Sequence, residues 1–371
     1  MRNVRAKTAA IAVVSALALV TACSSENEDD SNGSTGGGDS TTDASSLSGS
    51  VAGAGASSQD AAQQAWMAGF QSANPDVTVT YDPAGSGAGR EQFIAGAVSF
   101  AGSDAYLDDE ELTAANERCG GEVVEVPVYV SPIAVIFNLP GVDSLNLSPS
   151  TIAQIFNQQI TSWNDEAIAA DNPDAELPDT AITPVNRSDE SGTTENFTDY
   201  LSQTAGDDWP HEVSGEWPVS GGEAAQGTSG VVQAVTGGEG TIGYADASQA
   251  GELGTVNVGV GEEFVAYSPE AAAAVLGVSE RVADRGEHDF AFDLARDTTE
   301  AGTYPIVLLS YGLACASYDD AAQGELARGY LSYIVSEEGQ AAAAEAAGSA
   351  PISDELRQQI QPAVDAIGAA G

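Results

Sequence analysis

Hydrophobic positions along the chain recur with two periods that alternate. Leu47 to Val51 reads as the start of a strand, and the Gly/Ser turn Gly53-Ala-Gly-Ala-Ser57-Ser58 follows it. A helix comes next, with Trp66, Met67 and Phe70 on its apolar side. Val77-Thr-Val-Thr-Tyr81 alternates as a half-buried strand does, then runs into Gly85-Ser86-Gly87-Ala-Gly89 and a helix carrying Phe93 and Ile94. The same succession appears again at Ala181–Val185, with a polar turn from Arg187 to Thr194 and a helix bearing Phe197, Tyr200 and Leu201 on one face. Between and beyond these units, Glu122 to Phe137 is rich in Val and Ile and predicts paired buried strands. Ser150–Phe156 and Asn164–Ala170 predict helices, and Thr241-Ile-Gly-Tyr244 a short strand. Thr303 to Leu313 predicts a long apolar strand, with three helices after it at about 319–335, 337–347 and 353–367. Strands alternating with helices throughout predict an α/β fold built in layers.

The N-terminus follows another rule. Arg2, Arg5 and Lys7 form a positive segment, and the apolar run Ala9 to Val20 is too short to span a bilayer. Val20-Thr-Ala-Cys23 resembles a bacterial lipobox, so residues 1–22 are expected to be a lipoprotein signal peptide and Cys23 the lipidated residue. An ordinary signal peptide with an incidental cysteine is the alternative. Lipid on Cys23 would anchor the chain to the outer face of the cell membrane. Ser24 to Ser46 has no large apolar residue and cannot bury a core, so 23–47 is expected to be a flexible tether. No later segment is apolar enough to span a membrane, and the remaining chain is long enough for two lobes.

Cys119 and Cys315 are the other two cysteines, and in an exported chain they are expected to form a disulfide, with two separate buried thiols as the alternative. They make no CxxC pair, and two histidines in the whole chain give a zinc site little to work with, so no metal and no cofactor are expected.

Charge narrows the partners. The chain carries 11 Lys+Arg against 56 Asp+Glu. Without Arg2, Arg5 and Lys7, 8 Arg and no Lys face 56 acids, a formal charge of −48. That excludes nucleic acid, which needs basic patches. It does not exclude a small anion. Surface charges beyond about 10 Å are screened at moderate salt, whereas buried N–H groups and one Arg act at contact distance. The acidity fits either a salty or alkaline exterior or a compositional bias of the lineage.

Chemistry concentrates in Arg187-Ser-Asp-Glu-Ser191-Gly-Thr-Thr194. A cation precedes a helix opening that offers unpaired N–H groups, hydroxyls and the positive end of the helix dipole. Gly192 lets the backbone approach a ligand closely, and Arg187 supplies a planar fork for an oxyanion. An ordinary capped helix beside a surface Arg accounts for the same residues. The turns at Gly53 and Gly85 repeat the strand, Gly/Ser turn and helix opening. Gly53-Ala-Gly55 also begins a dinucleotide fingerprint, but Ser58 stands where its third Gly belongs. In Ser99-Phe-Ala-Gly-Ser103-Asp104-Ala-Tyr106 a carboxylate sits in a small-residue turn. An ionised Asp104 only accepts hydrogen bonds, so it suits an anion that carries a proton; a helix N-cap is its other reading. His211 and His288 lie in no motif, and there is no G-x-S-x-G elbow, which weakens a hydrolase or phosphatase reading.

Taken together, these elements resemble the phosphate-binding proteins of PstS type that serve phosphate ABC importers. The likeness covers about residues 48–365 and includes Ile160-Thr-Ser-Trp163-Asn-Asp165, Gly240-Thr-Ile-Gly243-Tyr244 and Thr303-Tyr-Pro-Ile306 besides the four turns. It implies a two-lobed periplasmic-binding-protein fold of type II, with lobe one at 48–130 plus 304–371 and lobe two at 131–303. The hinge crossings would fall near Val128–Ser131 and Thr303–Val307. It implies that Ser57, Ser58 and Ser86 give donors from lobe one and that Asp104 accepts the phosphate proton. It also implies that Arg187 pairs with the phosphate charge, that Asp189 orients Arg187, and that Ser191, Gly192 and Thr193 donate from lobe two. The partners it implies are inorganic phosphate and membrane permease subunits, and we expect a monomer. Sulfate, which has no proton to give Asp104, is the competing oxyanion. Ser57 and Ser58 depart from the family, which often has Thr followed by an aromatic residue there, so the apolar lid over the anion is expected to be thinner.

Overall fold

The computed structural model describes residues 47–368; the signal segment, Cys23 and the tether up to Ser46 lie outside the described residues. Thirteen strands are described. They are β1 (Gly49–Gly55), β2 (Val77–Asp82), β3 (Phe100–Ser103), β4 (Val123–Phe137), β5 (Ser144–Leu147), β6 (Thr183–Arg187) and β7 (Glu223–Ala225), then β8 (Thr241–Asp246), β9 (Gly254–Val260), β10 (Glu263–Val265), β11 (Glu280–Arg281), β12 (Phe292–Asp293) and β13 (Val307–Cys315). The helices are α1 (Asp60–Ala73), α2 (Ser86–Ile94), α3 (Asp109–Arg118), α4 (Pro149–Phe156), α5 (Glu166–Asp171) and α6 (Gly192–Ala205), then α7 (Gly227–Gly237), α8 (Pro269–Val278), α9 (Ala321–Val335), α10 (Glu337–Ala347) and α11 (Asp354–Ala366).

One mixed sheet runs in the order β2-β1-β3-β13-β4-β8-β6-β7, with β9, β5 and β10 branching from β4; β11 and β12 form a separate ribbon. β1 lies parallel to β2 and β3, as strands joined by crossover helices must. In the other half, β6 lies parallel to β7 and β8. β13 and β4 run antiparallel between the halves.

The stretch from Glu122 to Phe137, expected as paired strands, is one strand of 15 residues, all buried. Burial on both faces removes the polar alternation that would have marked its course. Its partner changes along its length. β13 pairs with Val123–Pro132, and β8 pairs with Ile133–Phe137. Both internal prolines fall where a missing N–H is tolerated. Pro127 pairs with Tyr311 beside the register shift between Ser310 and Tyr311, and Pro132 sits where β13 gives way to β8.

Helix packing then fixes the strand ends. α1 buries Ala62, Trp66 and Phe70, and the Trp66 indole donates to the Gly339 carbonyl at 2.7 Å in α10. α6 buries Phe197, whose ring lies 4.5 Å from that of Tyr244 and 4.8 Å from that of Phe156. This aromatic group braces the opening turn of α6 and sets the Tyr244 hydroxyl against it. α3 begins at Asp109 and is capped by Asp108 and Glu111 in a reciprocal box. Asp104 therefore caps no helix, which removes that reading of it.

A disulfide joins Cys119, just after α3, to Cys315 at the end of β13, across a sequence separation of 196. The Arg118 guanidinium lies over the Phe93 ring at 4.5 Å and donates to Cys315 Sγ. Further along, residues 286–292 lie beside β4. The Glu125 N–H donates to the His288 carbonyl at 3.0 Å and the Phe290 N–H to the Glu125 carbonyl at 2.8 Å. Arg285 holds both Glu125 (3.0 Å) and Asp289 (2.9 Å). Burial, and then the Asp289 charge, push the Glu125 carboxyl up to about 8 despite Arg285.

Two expectations follow from this packing. Reduction of Cys119–Cys315 should lower stability by about 2–5 kcal/mol, measured by denaturant titration with and without reductant; equal midpoints would show that the link constrains nothing. Glu125 binds its proton more tightly in the folded chain than at the ordinary value of 4.5. Its contribution is therefore fully present below 4.5 and is lost as pH rises to about 8. Melting curves between about pH 5 and pH 9 should show a steeper loss of stability in the wild type than in Glu125→Gln; parallel curves would exclude Glu125 as the source.

Candidate anion-binding site

Four helix openings meet at one place. α1, α2 and α6 are the three that the sequence displays. The fourth, α7, follows the short strand β7 and opens at Gly227-Thr228-Ser229. It escaped the sequence reading because β7 is only three residues long; Gly-Thr-Ser-Gly was its one visible signal. Contacts define the meeting point. A Cβ built on Gly192 would lie 2.6 Å from Asp104 Cβ and 2.8 Å from Ser86 Oγ, so only glycine lets α6 reach the β3 turn and α2. Gly85, at φ +110°, brings the opening of α2 against Asp189 and Glu190. Ser57 joins α7, its Oγ lying 3.1 Å from Thr228 Oγ1 and accepting from the Thr228 N–H at 3.2 Å. Each opening turns unpaired N–H groups and a partial positive charge toward this region.

Asp104 stands at its centre, 2 % exposed. Ser58 Oγ donates to both carboxylate oxygens at 2.7 Å. Ser310 Oγ reaches Oδ1 at 2.6 Å, and Thr193 Oγ1 reaches Oδ2 at 3.2 Å. The Asp104 N–H donates to Ser86 Oγ at 3.1 Å. Burial raises the affinity of Asp104 for a proton above that of an ordinary aspartate. The hydroxyls of Ser310 and Ser58, the Arg187 charge and Thr193 pull it back part of the way. A desolvated carboxylate ringed by hydroxyls, with the Arg187 charge acting on it, holds a proton more readily than a surface aspartate does.

Arg187 ends β6 and is 3 % exposed. Its Nε donates to Asp189 Oδ1 at 2.8 Å and its Nη2 to Asp189 Oδ2. Asp189 also accepts from the Gly227 N–H at 3.0 Å. Burial would raise Asp189, but the hydrogen bonds and charge of Arg187 outweigh it and hold the carboxyl below the usual range. One edge of the guanidinium is thus fixed by an ionised partner, and the Nη1 side makes no hydrogen bond among the described residues. The Arg187 N–H donates to the Tyr244 hydroxyl at 3.3 Å, and that hydroxyl lies 2.8 Å from Thr194 Oγ1. Ser191 caps α6 by accepting from the Thr194 N–H.

The structure therefore brings Ser58, Ser86, Asp104, Gly192 and Thr193 into direct contact with one another and sets the Arg187–Asp189 pair beside them. Ser57 and Ser191 are buried at the rim, where Ser57 faces Thr228 and Ser191 serves the helix cap. Ser58 stands where an aromatic lid was to be missed, and its hydroxyl bridges both Asp104 oxygens instead. Ser310 went unread in the sequence; a single hydroxyl inside a buried apolar strand was the available sign. No cluster of three or more His, Cys, Asp or Glu suited to a metal occurs among the described residues.

Comparison with known proteins places these features. The chain matches the PBP superfamily domain over residues 39–338. It is 34% identical over 368 residues to phosphate-binding protein PstS 3 of Mycobacterium tuberculosis, covering 97% of this chain and 98% of that one. It is 32% identical over 314 residues to phosphate-binding protein PstS of Xylella fastidiosa, covering 82% and 83%. Among solved structures it resembles a high-affinity periplasmic phosphate-binding protein, PfluDING, bound with phosphate, at TM-score 0.69 and 22% identity, with 85% and 93% covered. A phosphate-binding protein from Stenotrophomonas maltophilia gives TM-score 0.65 at 21% identity, with 85% and 93% covered.

The Gly192 approach yields a direct test of the site's geometry. Gly192→Ala should fold, because Gly192 opens α6 outside the left-handed region and the added carbon can be relieved by α6 standing away from the β3 turn. It should nonetheless lose most anion affinity, since the added carbon meets Asp104 and Ser86. Binding measured by calorimetry at wild-type strength in this variant would show that α6 need not seat against the β3 turn.

Proposed function

The chain belongs to the PstS-type phosphate-binding proteins of the PBP superfamily, and from that premise we propose that it captures inorganic phosphate between its lobes and delivers it to an ABC permease. It is a two-lobed binding protein and no enzyme. The observation that carries the phosphate reading is the buried Asp104 carboxylate opposite Arg187, amid four helix openings. Phosphate near neutral pH carries at least one proton, since its second pKa is roughly 6–7, like that of phosphoesters. Arg187 and the openings satisfy its charge while Asp104 accepts its proton. In this reading Ser57, Ser58, Ser86, Ser191, Gly192 and Thr193 supply hydroxyl or backbone donors, and the hydroxyls now on Asp104 rotate toward the ligand. Sulfate would set a bare oxygen against the carboxylate.

We place the lobes at 48–130 plus 304–371 and at 131–303, with the crossings in β4 and just before β13. Cys23 would carry the lipid that keeps the chain at the outer face of the membrane, where permease subunits take the phosphate from a monomer. A hydrolase reading finds no support. His211 Nε2 lies 3.1 Å from Asn157 Oδ1 and His288 Nε2 lies 3.8 Å from Glu122, each away from the serines of the site.

Titration of the stripped protein with phosphate should give one site and no product. Arg187→Ala should weaken it by about 2–5 kcal/mol, and Arg187→Lys should recover part of that because the planar fork is lost. Absence of heat and of thermal shift with wild type would end the phosphate assignment. Unchanged affinity in folded Arg187→Ala would move the site elsewhere.

A further inference from the structure

A buried network behind Asp104 ties the site to the start of β13. Asn196 lies in the second turn of α6, 7 % exposed. Its Nδ2 donates to the Asp104 carbonyl at 2.6 Å and to the Gly192 carbonyl at 2.8 Å. Its Oδ1 accepts from Arg296 Nη2. Arg296 is 2 % exposed; its Nε donates to Asp199 Oδ2 at 2.5 Å, and its Nη1 donates to the carbonyls of Pro305 (3.2 Å) and Val307 (2.8 Å). One guanidinium and one amide thus bind the β3 turn, the opening of α6 and the segment entering β13. At that same point the Ile133 N–H donates to the Ile306 carbonyl at 2.7 Å, where β4 changes partners.

The chemistry of the network is directional. An amide can present either its oxygen or its NH₂ to a neighbour. Arg296 carries donors only, so it compels Asn196 to turn its oxygen away from the site and its NH₂ toward the two carbonyls. Those carbonyls belong to opposite halves of the molecule, Asp104 following β3 and Gly192 opening α6. Nδ2 holds both only while α6 is seated against the β3 turn. A buried cation is costly to keep, and in a satisfied network that cost is set against a single defined geometry. Arg296 makes no hydrogen bond to Asp104 itself and reaches it through Asn196.

We propose that Arg296 and Asn196 are positioning residues that couple closure of the cleft to the placement of Asp104. Separation of α6 from the β3 turn breaks the bond from Asn196 to the Asp104 carbonyl, while the bond to Gly192 moves with the helix, and the Asp104 main chain is released. Reseating restores that bond and returns the carboxylate to the position in which it meets the proton of the anion. Arg296 sets the hand of the amide and, through Pro305 and Val307, ties that event to the strand by which the chain passes between the halves. A cavity of about 270 Å³ lined by Asp104, Asn196, Asp199 and Arg296 borders the network. Space beside the side chains means that a smaller residue there is solvated rather than left in a void.

The proposal rests on the phosphate reading, and the test separates the two. Asn196→Asp keeps the size and strengthens the contact to Arg296 but loses both donations; Asn196→Ser removes the reach without adding charge. Phosphate dissociation rate, phosphate-to-sulfate affinity ratio and ligand-free melting temperature are measured for wild type and both variants. The expected result in both variants is phosphate release faster by about tenfold or more and a smaller ratio, whatever the fall in ligand-free melting temperature that the unpartnered Asp104 carbonyl causes. Arg296→Lys, which keeps the charge and loses the fork, should give an intermediate release rate. A lowered melting temperature with wild-type release and ratio would make the network structural only and overturn the proposal. Where Asn196→Asp fails to fold, Asn196→Ser decides by the same readings. A wild type that binds no phosphate would remove the phosphate reading and this coupling with it, whereas a binding wild type with unaltered variants removes the coupling alone.

Discussion

A carboxylate buried among helix openings is the constraint on which the site depends. Asp104 is removed from water, and that alone would push its proton affinity far up. Three hydroxyls, from Ser58, Ser310 and Thr193, and the nearby Arg187 charge offset much of the penalty. Each partner comes from a different element, so the carboxylate can be accommodated only if the turn after β1, strand β13, α6 and β6 all arrive together. Gly192 is what lets α6 close the gap. Site chemistry and packing are therefore one arrangement, since the partners that make the buried Asp104 tolerable are those that, in the proposed function, leave it to accept the proton of the anion.

The acidic composition sharpens this point. With 56 acids against 11 bases, a long-range field cannot attract an anion. Positive charge is instead spent inside. Arg90 bridges Glu111 at 2.7 Å and Glu190 at 3.0 Å, Arg285 holds Glu125 and Asp289, Arg296 holds Asp199, and Arg187 holds Asp189. Of these, Arg187 leaves its Nη1 side without a hydrogen bond among the described residues, and its charge acts on Asp104. Binding then relies on contact-range donors in a dry setting, where salt screens little. The surface is left free to serve solubility.

Much of this was legible in the sequence, and the reasons for the remainder are physical. The turns at Gly53, Gly85 and Arg187 announced themselves because glycine, hydroxyl and cation in a strand-to-helix turn have few other uses in combination. The pairing of Cys119 with Cys315 followed from their isolation in the chain. β4 was not legible as one strand, because a segment buried on both faces carries no alternation and its two prolines look like breaks. α7 was hidden behind a three-residue strand. Ser310 and the Asn196–Arg296 network were hidden for a different reason. Ser310 lies 206 residues from Asp104, and Asn196 lies 92 from Asp104 and 100 from Arg296; a lone polar residue in an apolar strand or helix has no local signature of such links. The site's motifs are local, whereas the groups that hold them in place are not.

Selection by proton at Asp104 is read in the ratio of phosphate to sulfate affinity. It is measured for wild type and Asp104→Asn in the same buffer near neutral pH and at one salt concentration. Wild type should strongly favour phosphate, because sulfate brings no proton to a buried carboxylate. Asp104→Asn should narrow the ratio, since an amide can turn its NH₂ toward an unprotonated oxygen. An equal ratio in two folded proteins would contradict the claim and leave selectivity to groups other than Asp104.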